Sequence, residues 1–123
     1  MAVAREYTRA YYTYDWRTQT SLDPVTRSLP YGTAALLETL RPLSQAFPLR
    51  MRAAQETSAA TVSSAARAHD APGDNDHTAN VTVTYTQNTT DHGRKTQIAG
   101  SWNLQLVQTA AGQWRVDAVT AQD

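Results

Sequence analysis

The chain contains no cysteine, so it carries neither a disulfide framework nor a thiolate metal site, and either redox environment suits it. Its net charge is zero, with Lys+Arg 11 balanced by Asp+Glu 11. The basic excess that marks a nucleic-acid surface is missing, and no direct nucleic-acid partner is expected. No apolar run approaches the roughly 20 residues that span a bilayer, and no signal peptide is visible. There is no glycine-rich phosphate loop and no Gly-x-Ser-x-Gly elbow. Lysine occurs once against ten arginines in an alanine-rich chain, a bias common in high-GC bacteria that bears on origin, not on function.

What is present amounts to one domain, residues 1–123, with 41% hydrophobic residues and a light core. Much of the apolar count is Ala, so burial has to come from the aromatics, Leu and Val. Val3, Tyr7, Tyr11 and Tyr14 recur at spacings of four, four and three, which predicts a first helix ending near Asp15 to Arg17. Asp23 before Pro24 predicts a short helix through Leu29, broken at Pro30 and Gly32. Thr33 is placed to cap a further helix whose Leu36, Leu37, Leu40 and Leu43 face the core, ending or kinking at Pro42. Helices are thus expected over about residues 3–47 and strands over about 55–120.

In the second half the period changes to two. Ala60, Val62, Ala66 and Ala68 fall on even positions of a long, edge-like strand, and DAPGDND (70–76) breaks it. Ala79, Val81, Val83 and Tyr85 alternate with threonines and Asn80 as a half-buried strand; NTTDHGR (88–94) is read as the next turn. Ile98, Gly100, Trp102, Leu104 and Leu106 then line one face, and after TAAG (109–112) Trp114, Val116 and Ala118 continue it against Arg115 and Asp117. Helices first and four antiparallel strands after make an α+β arrangement, a curved sheet closing as a cone around the first helix, with Trp102 and Trp114 on its inner wall.

This layout, with AYYTYDWR (10–17), VTRSLPYGTAALLETL (25–40) and the closing GQWRVDAV (112–119), resembles the nuclear transport factor 2-like superfamily. Within it the chain looks similar to the extracytoplasmic domains of two groups of membrane proteins. One is the Gram-positive conjugation scaffolds, TcpC-like and related to the inner-membrane scaffold of type IV secretion systems. The other is the actinobacterial Mce-associated membrane proteins. The resemblance implies a single-pass protein of the cell membrane, with a transmembrane helix ahead of residue 1 and this domain outside. It also implies a scaffold without catalysis or cofactor, whose partners are other membrane components of a secretion or transport complex, with homo-oligomers open. Conjugation and lipid import are the two machines it suggests. Fold likeness alone does not transmit function, and a small-molecule binder or an isomerase- or hydratase-like enzyme using the cone interior is the alternative.

Such an enzyme needs ionisable groups at the mouth of the cone. The candidates are Tyr11, Tyr14, Asp15 and Trp102; Asp117, by parity, is expected to point outward. The two tyrosines also read as core residues with hydroxyls at the rim, and Asp15 as a helix terminator. Asp70, Asp74, Asp76 and His77 lack the alternation and distal Glu of a calcium loop. His69, His77 and His92 share no i, i+4 spacing, so no zinc site is assigned. Arg41, Arg50 and Arg52 form a modest basic cluster, read as a solvated connection. The remaining candidate is the outer sheet face, Thr82, Thr84, Ser101, Asn103, Gln105 and Arg115, polar, flat and small-residued, as a weak or assembly-dependent contact requires.

Overall fold

The computed structural model describes residues 2–17, 29–36, 38, 55–70 and 74–121. Helix α1, Ala2–Tyr12, buries Ala4, Tyr7 and Thr8, with Val3 and Tyr11 packed beside them. It stops short of the expected Asp15 to Arg17 end, and the reason lies at residues 58–60. Ser58 donates from Oγ to the Tyr12 carbonyl at 2.6 Å, and Thr13 Oγ1 accepts from the Ala60 amide at 3.3 Å. These side-chain bonds take the place of a further helical turn, and the β-favouring Thr13 and Tyr14 go extended. Tyr14–Asp15 become strand β1, paired with Ser58 and Thr57. The sheet therefore has five strands where four were expected.

Of the helix expected from Asp23, only the end falls among the described residues, where Leu29–Tyr31 form a 3-10 turn. Gly32 bridges to Val116, and Thr33 caps the following turn as its sequence position suggests, accepting from the Leu36 amide at 3.2 Å. Leu36 is buried. Leu37, Leu40, Pro42, Leu43 and the arginine cluster lie outside the residues that can be described.

Strands β2 (Thr57–Arg67), β3 (Thr78–Asp91), β4 (Arg94–Gln108) and β5 (Trp114–Ala121) follow in order as an antiparallel meander, β1-β2-β3-β4-β5. The inner face of β3 is as its alternation predicts: Ala79, Val81 and Val83 are fully buried. The inner face of β4 supplies Trp102, Leu104 and Leu106. The expected turn at 88–94 shrinks to His92–Gly93, because β3 and β4 stay paired from Thr78↔Val107 to Asp91↔Arg94. Both turn residues have positive φ, 49° and 82°, the handedness that matches the twist of a two-residue hairpin.

Two irregularities change which side chains face inward. Pairing of β2 with β3 shifts between Val62 and Ser64, leaving Ser63 as an extra residue. Ser58, Ala60 and Val62 point inward before it; Ala65 and Arg67, not the expected Ala66 and Ala68, do so after it. Likewise β5 shifts against β4 between Gln105 and Leu106, leaving Asp117 as the extra residue. Val116 and Val119 therefore join the core where Val116 and Ala118 were expected. A one-residue insertion swaps every later side chain to the other face, and bulges also bend and twist the strand that carries them. The outcome is a curled sheet around α1.

The loop after β2 is tied down by one ion pair. Arg67 donates from Nε and Nη2 to both carboxylate oxygens of Asp74 at 3.1 Å, and from Nη2 to the Asn75 carbonyl at 2.7 Å. The guanidinium also sits 5.4 Å from the centroid of Trp114, a cation–π distance. Arg67 hydrogen bonding holds the Asp74 carboxyl below the ordinary carboxylate range, with a smaller contribution from the Asn80 amide and against a small cost of desolvation. A depressed folded-state pKa stabilises above the unfolded value and loses its effect as pH falls through the folded one. Asp74→Asn should thus lower the melting temperature at neutral pH, and its gap to the parent should close below about pH 4; a gap independent of pH would exclude the pair as its source.

Both hairpin tryptophans face the core, but unequally: Trp102 is 5% exposed, whereas Trp114 is only partly buried at the rim. In urea denaturation Trp102→Ala is expected to cost about 3–5 kcal/mol and Trp114→Ala about 1–3 kcal/mol. Arg115→Ala, facing outward, should stay under about 0.5 kcal/mol. A larger loss at Arg115 than at Trp102 would reverse the assignment of faces.

Candidate functional site

The interior of the curl is built around Trp102. Its indole Nε1–H donates to Thr8 Oγ1 at 2.9 Å, and that hydroxyl donates in turn to the Ala4 carbonyl one helical turn back, also at 2.9 Å. Four tyrosine rings surround the indole at centroid distances of 5.8 Å (Tyr7), 5.3 Å (Tyr11), 5.1 Å (Tyr12) and 5.9 Å (Tyr85). Tyr12 and Tyr85 stack at 4.6 Å, and the Tyr85 hydroxyl donates to the Tyr12 hydroxyl at 3.0 Å. Gly100, paired across the strands with Tyr85, makes room for that ring: a Cβ there would lie 2.6 Å from it. Burial pushes the Tyr12 phenol well above its ordinary pKa. It holds its proton at neutral pH and cannot serve there as a base.

The sequence-derived pocket is only partly assembled. Tyr11 and Trp102 meet edge to face. Tyr14 and Asp15 belong to β1, where Tyr14, itself buried, donates to Glu56 Oε1 at 2.6 Å. Asp15 accepts from the Arg17 amide at 2.9 Å and from its guanidinium at 3.1 and 3.0 Å. Those bonds hold the Asp15 carboxyl below the ordinary range, which makes it a weak proton acceptor. A shallow groove beside β1 is lined by Asp15, Arg17, Ser58, Ala59, Asn88 and Thr90. Asp117 does not point freely outward as expected. Sitting at the bulge, it accepts from Thr33 Oγ1 at 2.7 Å and ties the crossing segment to β5.

Thr8, Glu56 and the Tyr12–Tyr85 pair were not singled out from sequence. A threonine four residues after Ala4, on the same helical face as Tyr7 and Tyr11, was the available signal for the first. Nothing local marks Glu56, whose partner is 42 residues away.

On the outer face, Thr82 pairs with Asn103 and Thr84 with Ser101 across β3 and β4, while Gln105 stands opposite Asn80 and Ala118. Thr82 Oγ1 donates to Asn103 Oδ1 at 2.8 Å, and Ser63 Oγ to the Thr84 carbonyl at 3.0 Å. Arg115 lies opposite Val107 and donates to Gln113 Oε1 at 2.9 Å. The six residues do share one surface, and Arg115 is its single charge among them. Hydroxyls and amides on the outer face of the curled sheet can accept a partner without burying an unpaired ion.

The Trp102 to Thr8 bond gives a direct test of the interior. Thr8→Val keeps the volume but leaves the buried indole N–H without its acceptor, at an expected cost of about 1–3 kcal/mol. Trp102→Phe removes the donor, so the double variant should lose less than the sum of the two single losses. Strict additivity in denaturant titrations would show that the bond contributes nothing.

No protein-family model matches the chain, and a search of curated proteins gives no match. Solved structures do match. The periplasmic domain of DotI superposes with a TM-score of 0.76 at 14% identity, covering 98% of this chain and 91% of that one. An IcmL-like type IV secretion system protein from Legionella pneumophila gives 0.72 at 12% identity, covering 98% and 88%. An Ntf2-like protein involved in plasmid conjugation gives 0.59 at 14% identity, covering 99% of this chain and 47% of that one. Among the described residues no helix is long and apolar enough to cross a membrane. At such low identities the likeness is one of architecture: the chain shares its fold with the periplasmic domain of DotI, with the IcmL-like type IV secretion system protein and with the Ntf2-like protein involved in plasmid conjugation.

Proposed function

We propose that this chain is a non-catalytic, extracytoplasmic assembly domain of a cell-envelope complex, specifically a conjugative type IV secretion apparatus. The observation that carries the reading is the end-to-end superposition on periplasmic domains of secretion proteins, including DotI and the IcmL-like protein. Two features of the chain favour it. Aromatic rings pack against one another inside the curl, and the carboxylates Asp15 and Glu56 are engaged by Arg17 and Tyr14. The outer sheet face, by contrast, is polar and nearly uncharged, which suits contacts that form as a complex assembles.

Affinity capture of the full-length gene product from its own membranes should recover other membrane components of a transfer apparatus. Recovery of lipid-import proteins alone would favour the Mce-associated reading instead. The face itself is tested by Thr84→Arg with Gln105→Glu. Both are exposed, so folding stability should move by less than about 0.5 kcal/mol for each, while capture of the partners and DNA-transfer frequency should fall together. Unchanged transfer with this double variant would remove the outer face from the assembly.

A further inference from the structure

Strand β4 is longer than the strand beside it. β5 pairs with β4 only from Trp102 to Gln108, so the first half of β4, from Arg94 to Ser101, has β3 on one side and no described strand on the other. The two-residue turn fixes which backbone groups are used. Asp91 and Arg94 close the hairpin, so even-numbered residues of β4 turn their N–H and C=O toward β3 and odd-numbered ones away from it. The bond from the Gln108 amide to the His77 carbonyl, on the β3 side, agrees with that phase. Lys95, Gln97 and Ala99 therefore present their backbone groups to the open edge, and residues 91–99 are all exposed.

Natural edges are usually blunted by a bulge, a proline or repeated charge. Here the register with β3 runs unbroken, Thr96 to Ser101 contains no proline and no charge, and Ile98, 49% exposed, is the large hydrophobic residue left at the surface among those described. The three open residues are symmetric about Gln97, as antiparallel self-pairing of one strand requires, and a second copy of this chain is the occupant that meets that register. An antiparallel second copy centred there pairs Gln97 with Gln97, Lys95 with Ala99 and Ala99 with Lys95, which satisfies every open group and needs no other residue. Ile98 of each copy then covers Thr96 of the other on the inner face, at the closer, non-hydrogen-bonded spacing. The two Lys95 side chains end about four residues apart, roughly 14 Å, beyond the screening length at physiological salt.

We propose that the β4 edge at residues 95–99 is a self-pairing site, through which two copies of this chain join their sheets by antiparallel strand addition. The argument is independent of the secretion reading, and the area involved is small, so the dimer is weak and grows with concentration. Sedimentation of the full chain up to about 1 mM should show a monomer–dimer equilibrium. Gln97→Pro removes an N–H that the fold does not use, so this variant should keep the parent melting temperature yet remain monomeric. Because the chain lacks cysteine, Thr96→Cys and Ile98→Cys, one carrying a size tag, can be mixed and mildly oxidised. The mixed disulfide should exceed either like-with-like product by at least about threefold, since residue 96 meets residue 98 at a bridgeable distance. A mixed product no more than about twice either like-with-like product, the ratio random pairing gives, a parent that stays monomeric throughout, or a dimer that persists in a folded Gln97→Pro variant would each overturn the proposal.

Discussion

The hydrogen bond from the Trp102 indole to Thr8 constrains everything else in the molecule. A buried indole N–H must find an acceptor or cost the fold a desolvated donor. Here the acceptor is a helix side chain 94 residues away, itself anchored to the Ala4 carbonyl. That fixes the height and rotation of α1 over the sheet at one point. Once it is fixed, Tyr7, Tyr11 and Tyr12 must fall around the indole, Tyr12 must meet Tyr85, and Gly100 must lack a side chain. The aromatic cluster is a consequence of one polar requirement inside an apolar setting.

Much of this was legible in the sequence. Clean alternation marked β3 and the inner face of β4 because each residue there faces a full core on one side and solvent on the other, the condition under which a period of two is informative. The Thr33 cap was legible because capping is local. The end of α1 was not, since Ser58 on a distant strand decides it. Nor was β1, two residues long and too short to show any period. The outer-face residues were placed together by parity alone, whereas Tyr14 and Asp15 left the presumed pocket once the helix ended early. Contacts over long sequence separation, such as Tyr14 with Glu56, leave no trace in a local pattern.

The two faces of the sheet are built for different work. Inside, large rings and Leu side chains exclude water and leave the polar groups paired. Outside, threonines, serines and amides keep the surface wet and nearly neutral. On the proposed function and self-pairing, the surface offers two kinds of contact, a broad face of side chains and a narrow edge of backbone. The first would discriminate partners by shape and side-chain polarity, the second by the pairing of one copy with another.

Ser63 and Asp117 give β2 and β5 one residue more than the stretches of β3 and β4 they pair with. A strip longer on one margin than along its middle cannot lie flat, so part of the curvature is written as a difference in residue count. It also means that counting in twos along the chain must restart at those two positions. A pattern comparison that keeps one phase from β2 through β5 scores the wrong face after each restart, whereas a superposition of backbones passes through both unharmed.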